Sequence, residues 1–188
     1  MKAAMKHFYT LVLALVLTGG MLSTAQAGGE KLSESAAAEA AELPPVPQLL
    51  SEATYLTKKK PNLKAKYYIF LRSMSWCVPC HMFCPVLFKD YGKMKSAKAE
   101  LVFLGQEEEA VVKQYMKEHE FKCPGVLGSE LGSIPGFDLS GFGSPAICIV
   151  TAEGEFVGKL GGKNMADWRK VIKEYQTQQA RKKRAAKK

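Results

Sequence analysis

The chain has 188 residues, 47% of them hydrophobic, which fits one folded domain of ordinary size. Its formal net charge is +9, but eight positive charges lie at the two ends, Lys2 and Lys6 at the start and the others after Gln176. The body of the chain is therefore close to neutral, which argues against a domain that binds nucleic acid specifically.

The first 27 residues have the organisation of a signal peptide. A basic start precedes an apolar run at residues 8–17, and Ala25-Gln26-Ala27 matches the small-residue pattern of a cleavage site. The alternative is a membrane anchor, but the run is shorter than the roughly 20 apolar residues that a spanning helix needs. We therefore predict that residues 1–27 are a signal peptide and that the protein is exported to the periplasm or cell envelope.

The remaining chain divides into three parts by composition. Residues 28–47 are rich in Ala, Glu, Gly and Pro and predict a linker. Residues 48–175 carry the apolar elements of a folded domain. Residues 176–188 form a basic C-terminal tail, which is typical of a solvated segment and could contact an anionic surface.

The domain is predicted to alternate strands and helices. The elements are a short helix at 48–57, strands at 67–71, 101–104 and 146–151, a hairpin partner at 156–160, and helices at 78–94, 107–118 and from Asn164 or Met165 onward. Pro85 is predicted to kink the second helix, and residues 123–143 to be mostly loop. The alternation predicts an α/β fold, with a mixed central sheet and helices on both faces.

Two cysteines stand where the first strand gives way to the 78–94 helix. Unpaired N–H groups at a helix start favour a thiolate. We expect Cys77 to be exposed and to be the nucleophile, and Cys80, one turn on and more buried, to be the resolving thiol. Pro79 stiffens this turn without removing a needed N–H. Trp76 offers a flat apolar contact for a partner, and Val78 lies beside it.

Two other uses of this motif stay open. Zinc needs more ligands than one Cys-x-x-Cys pair, and the nearby candidates are Cys84 and His81. Cys77 to His81 also matches the attachment pattern of haem c, Cys-x-x-Cys-His, and export is compatible with it. The α/β pattern and the preceding buried strand favour the dithiol, so we predict neither a metal nor a cofactor.

The chain resembles the thioredoxin superfamily, in particular its secreted thiol-disulfide oxidoreductases of bacterial envelopes. The resemblance covers residues 62–175 and is carried by Trp76-Cys77-x-Pro79-Cys80, by Pro85 in the following helix, and by Gly143-Ser144-Pro145 before a strand. It implies a thioredoxin-like three-layer fold and a cis bond before Pro145. It also implies that Ser144 holds a substrate backbone while Pro145 shapes the groove.

The sequence departs from the family at three places. The buried acid six residues before the first active-site cysteine is Leu71 here, the lysine often found after the motif is His81, and residues 128–143 match poorly. The absence of the acid puts fast activation of Cys80 by that route in doubt.

Three further cysteines bring the total to five, so at least one thiol is free or pairs with another chain. Cys84 is either a buried packing thiol or a third redox thiol. Cys123 and Cys148 could bond to each other in an oxidising compartment, although the sequence does not give connectivity.

We therefore predict an exported thiol-disulfide oxidoreductase that acts on protein thiols and disulfides. The resemblance favours a reductase that receives electrons from a membrane partner. The alternative from another class is a non-catalytic binding module, in which a Cys77–Cys80 disulfide is structural.

Overall fold

The structure is a computed structural model that describes residues 44–187. The predicted signal peptide and most of the predicted linker lie outside the described residues. None of the helices within this range has the length and apolarity needed to cross a bilayer.

A mixed sheet of five strands forms the centre of the described chain. The strands are β1 (Tyr67–Ser73), β2 (Ala99–Gly105), β3 (Gly125–Leu127), β4 (Ala146–Thr151) and β5 (Phe156–Gly161), in the order β3-β2-β1-β4-β5. The pairs β1–β2 and β2–β3 are parallel, and β1–β4 and β4–β5 are antiparallel. The predicted mixed sheet is confirmed, with the buried apolar runs of β1, β2 and β4 adjacent to one another.

Alternate residues of β1 point to opposite faces of the sheet and build two cores. Ile69 and Leu71 belong to one core, and Tyr68 and Phe70 to the other. All four side chains are fully buried. Both faces of the central strands are therefore covered, as continuous apolar runs predict.

The helices are distributed unevenly over these two faces. They are α1 (Pro45–Glu52), α2 (Val78–Lys89), α3 (Tyr91–Ser96), α4 (Glu109–Glu118) and α5 (Trp168–Ala185), with a 3₁₀ segment at Gly162–Asp167 before α5. Buried side chains of α2 to α5 join the Ile69 core, whereas α1 and loop residues join the Phe70 core. Helices on both faces are thus confirmed.

The folded chain begins earlier than predicted. We expected a linker up to Pro47 and a helix at 48–57, but α1 runs from Pro45 to Glu52. A proline at the first position of a helix loses no needed hydrogen bond. Val46 is fully buried and its N–H donates to the carbonyl of Ala152 at 3.1 Å, which ties α1 to the end of β4.

Two elements differ from the predicted pattern in the middle of the chain. The 78–94 helix is interrupted at Asp90 rather than at Pro85, which lies inside α2. The indole Nε1 of Trp168 donates to the Asp90 carboxylate at 3.3 Å, so a contact with α5 holds this break. The predicted 123–143 loop contains β3, whose three residues are too few for a periodic signal.

The basic C-terminal segment continues α5 as a helix to Ala185. Trp168 and Ile172 anchor its first turns in the core, and the side chains from Gln176 onward are almost all exposed. The prediction of a solvated segment fits this exposure, but the backbone is helical.

Candidate functional site

The two predicted redox cysteines form a disulfide at the start of α2. Cys77 has extended backbone angles and directly precedes the helix, whereas Cys80 lies in its first turn. Their Cα atoms are 5.2 Å apart, and the Cys80 N–H donates to the Cys77 carbonyl at 2.9 Å. The helix start therefore presents both sulfurs at one end of the molecule.

The two cysteines of this disulfide are buried, whereas the side chains that flank Cys77 are exposed. Trp76 and Val78 are 71% and 70% exposed, whereas Cys77 is 5% exposed and Cys80 not at all. The expectation that Cys77 is exposed is wrong for the disulfide form. Its Sγ lies 3.4 Å from the carbonyl oxygen of Ser144, so the facing loop covers it.

That facing loop contains the predicted cis bond. The Ser144–Pro145 peptide is cis, and the Pro145 carbonyl accepts from the Gly162 N–H at 2.9 Å. Two strands that are distant from Cys77 in sequence therefore bring Ser144 against its sulfur.

An open groove of about 510 Å³ runs between the dithiol and this loop. It is lined by Arg72, Met74, Trp76, Cys77, Val78, Pro79, Gly143 and Ser144. Five of the predicted site residues lie along it together, while Cys80 is buried behind Cys77 and Pro145 stands after the lining loop. A polypeptide segment laid along the groove would meet the Cys77 sulfur at its floor.

The segment before Cys77 is held by a side chain whose role was not predicted. The Glu107 carboxylate accepts from the Ser75 N–H at 2.7 Å and from its hydroxyl at 2.6 Å. His81 Nε2 contacts the Ser75 carbonyl at 2.7 Å, which makes this nitrogen the donor. Glu107 precedes α4, and its carboxylate fixes the loop that carries Cys77.

The core beneath the dithiol is apolar where the family has an acid. Leu71 is fully buried there, together with Cys80 and Cys84. Two hydroxyls lie near these thiols, with Ser73 Oγ 3.0 Å from Tyr115 Oη and accepting from Cys84 Sγ at 3.5 Å. Burial raises the pKa of the Cys84 thiol to about 11, which fits the packing role.

The other two cysteines lie too far apart to form the bridge that the sequence left open. Cys123 belongs to the Ile69 core and Cys148 to the Phe70 core, on opposite faces of the sheet, and both are free thiols. Burial raises the pKa of Cys123 to about 12 and that of Cys148 to about 11. The Cys123–Cys148 bond, which the sequence left open, is not formed.

His81 belongs to an aromatic cluster between α2 and the end of α4. Its ring lies 4.6 Å from that of His119 and 5.5 Å from that of Tyr115, measured between centroids. Burial, and then the neighbouring His81, lower the pKa of His119. Within residues 44–187 no group of three or more His, Cys, Asp or Glu side chains is arranged to hold a metal ion.

Arg72 is the second functional candidate that sequence reasoning missed. It is the sixth residue of β1, and its Nη2 donates to the carbonyls of Phe142 and, at 3.2 Å, of Gly143. Its guanidinium thus fixes the residues just before Ser144. A charged residue closing an otherwise apolar strand was the signal that could have identified it.

No protein-family profile matches the sequence, and no curated protein does. Among solved structures, the fold is similar to a candidate protein disulfide isomerase from Bacteroides thetaiotaomicron, with TM-score 0.50, 21% identity, and coverage of 65% of this chain and 80% of that one. It is also similar to a DsbF homologue from Corynebacterium diphtheriae, with TM-score 0.50, 16% identity, and coverage of 65% and 82%. A thiol:disulfide interchange protein from Chlorobium tepidum matches at 25% identity and TM-score 0.48, over 60% and 81%.

The likenesses at TM-score 0.50 agree with the strand order and the flanking helices described above. The chain has a thioredoxin-like fold, and this part of the prediction from sequence is confirmed.

Proposed function

We propose that this thioredoxin-fold chain is a thiol-disulfide oxidoreductase that acts on proteins, with Cys77 as the attacking thiol and Cys80 as the resolving thiol. The main support for this activity is the disulfide at the start of α2, with the Cys77 sulfur 3.4 Å from the Ser144 carbonyl across an open groove. Positioned thiols of this kind exchange disulfides because the helix start favours the thiolate.

The reaction follows from the order of the two sulfurs. In the reduced protein the Cys77 thiolate attacks a substrate disulfide, forms a mixed disulfide and releases one substrate thiolate. The Cys80 thiolate then attacks the Cys77 sulfur, and the second substrate thiol leaves. The substrate gains two electrons and two protons, and the chain is left in its disulfide form. A dithiol donor must then return two electrons.

Substrate binding is assigned to the groove. Trp76 and Val78 are large apolar side chains that stay exposed beside the sulfur, and such exposure marks contact sites on soluble domains. Ser144 supplies backbone groups to an extended substrate segment, while Pro79 and Pro145 stiffen the two walls. A protein segment, rather than a small thiol, fits this combination of apolar contacts and backbone.

The proposal also covers the direction of electron flow and the compartment in which the protein acts. We assign a reductase role in the periplasm or cell envelope, with a membrane protein as electron donor. The predicted signal peptide and the family resemblance support it. The reduction potential of the Cys77/Cys80 couple tests the direction, because a value near −270 mV is typical of a reductase and one near −120 mV of an oxidase.

The activity is tested by insulin reduction with dithiothreitol as electron donor. We expect Cys77→Ser to abolish the catalysed rate. Cys80→Ser, reduced and then freed of dithiothreitol, should accumulate a mixed disulfide with insulin, visible on a non-reducing gel. Cys148→Ala removes a cysteine from the opposite core and serves as the matched control. If the wild-type chain does not reduce insulin and Cys80→Ser forms no mixed disulfide, the protein is a binding module. A Soret band in the exported protein would indicate haem.

The basic end of α5 supports a weaker contact with an anionic envelope surface. Arg181, Lys182, Lys183 and Arg184 are all exposed in consecutive positions of one helix. We expect co-sedimentation with phosphatidylglycerol vesicles and not with phosphatidylcholine vesicles at low salt. Replacement of these four residues by glutamine should abolish it, and retained sedimentation would contradict this assignment.

A further inference from the structure

Arg72 brings a positive charge to the substrate groove. The side chain follows Tyr68 and Phe70 on the same face of β1 and reaches the loop before Ser144, where Nη2 donates to two carbonyls. The same residue lines the groove together with Cys77 and Ser144. The guanidinium therefore lies along the path of any segment that reaches the Cys77 sulfur.

This charge has no acidic partner within the described residues. The three ion pairs in residues 44–187 involve other side chains, and Arg72 is the charged residue among the eight that line the groove. Its Nε atom is buried and has no hydrogen-bond partner in the described chain. A guanidinium has five N–H donors, so bonds from Nη2 leave Nη1 free to bind a planar carboxylate.

We propose that Arg72 is a specificity residue, which selects protein substrates with an Asp or Glu next to the reactive cysteine. A residue adjacent to the half-cystine lies within about 3.5 Å of chain length per position, so its carboxylate can reach the groove wall. The charge-assisted hydrogen bond forms while the substrate sulfur meets Cys77, and it lowers the barrier to the mixed disulfide. This inference rests on the proposed function.

Three peptides test it. They are identical except for the residues that flank a single cysteine, which are Glu, Gln or Lys, and each cysteine carries a 2-thiopyridyl group, a neutral leaving group. The reduced chain attacks the peptide sulfur and releases pyridine-2-thione, which is followed by absorbance. Each rate is divided by the rate of the same peptide with dithiothreitol, which removes differences in intrinsic reactivity.

We expect the chain to react about fivefold faster with the Glu peptide than with the Gln peptide, which corresponds to about 1 kcal/mol. The Lys peptide should react more slowly than both, and the preference should decrease as salt is added. Arg72→Gln should bring the Glu-to-Gln ratio to one, and Arg72→Lys should keep part of it. Because a displaced loop would slow all three peptides alike, the ratio separates specificity from structure.

Lys64→Gln is the matched control, since it removes the same charge from an exposed residue before the opposite end of β1. It should leave the ratio unchanged. Equal rates for the three peptides with the wild-type chain, or a preference that survives in Arg72→Gln, overturn the inference and leave the proposed function intact. Failure of all three peptides to react faster with the chain than with dithiothreitol overturns the proposed function itself.

Discussion

Replacement of Glu107 by alanine should destabilise the segment that carries Cys77. The carboxylate accepts two hydrogen bonds from Ser75, at 2.7 Å and 2.6 Å, in a partly buried position. A hydrogen bond to a charged group contributes about 1.5–3 kcal/mol, and two bonds on one carboxylate are not additive. We therefore expect Glu107→Ala to lower the free energy of unfolding by about 2–3 kcal/mol.

Glutamine at the same position should cost less. Its oxygen can still accept from the Ser75 N–H and its amide can donate to the hydroxyl, so only the charge assistance is lost, about 1 kcal/mol. The assay is thermal unfolding of the oxidised chain followed by circular dichroism. About 2–4 °C per kcal/mol predicts a decrease in Tm of about 4–12 °C for Glu107→Ala.

The neighbouring Glu108 supplies the control for this series. Its side chain is exposed and forms no capping hydrogen bond, so Glu108→Ala should change the free energy of unfolding by less than about 0.5 kcal/mol. If Glu107→Ala and Glu108→Ala unfold at the same temperature, the Ser75 contacts do not stabilise this loop and the reasoning is refuted.

Three further predictions concern the thiols, the histidine pair and the glycines. The buried free thiols are Cys84, Cys123 and Cys148. Since burial raises the pKa of each to about 11 or 12, iodoacetamide at pH 8 should leave all three unmodified in the folded chain and label Cys77 alone after mild reduction; mass spectrometry counts the adducts, and any rapid second label contradicts the prediction. The pKa of His119 is lowered in the folded state, so the unfolded chain binds more protons below pH 6.5 and the fold should lose stability as the pH decreases from 7 towards 5. His119→Gln should flatten this pH dependence in urea unfolding, and an unchanged slope would argue against it. Gly136 and Gly132 both have positive φ, but a Cβ on Gly136 would lie 2.2 Å from the Gly154 carbonyl oxygen, whereas one on Gly132 meets nothing within 4 Å. Gly136→Ala should therefore cost about 2 kcal/mol more than Gly132→Ala in chemical unfolding, and equal costs would show that the loop moves freely.

The central strands and the start of α2 could be predicted from the sequence because short-range patterns determine them. The apolar runs of β1, β2 and β4 are buried on both faces, so their composition alone identified them. Similarly, the positions of Cys77 and Cys80 relative to α2 follow from a strand followed by a proline-containing helix start. By contrast, β3 has three residues and exists because β2 offers it an edge, which no local pattern encodes.

The rest of the candidate site depends on contacts between distant parts of the chain. Arg72 and Phe142 are 70 residues apart, and Ser75 and Glu107 are 32 apart, so their pairing required the three-dimensional structure. The exposure of Cys77 was predicted wrongly for the same reason, because the loop that covers it arrives from Ser144. The resemblance identified that loop, whereas the position of the Arg72 charge in the groove emerged only from the structure.

The short span of the Cys77–Cys80 ring bears on the stability of the fold in the two oxidation states of the proposed cycle. Only three positions separate the bonded residues, so closing the ring removes little freedom from the unfolded chain, worth about 2 kcal/mol by loop-entropy estimates. Opening the ring thus lowers the ratio of native to denatured chain about 30-fold, which is still a small part of the roughly 5–15 kcal/mol that stabilises a typical domain. The scaffold can therefore remain intact in both oxidation states, as the proposed exchange cycle requires.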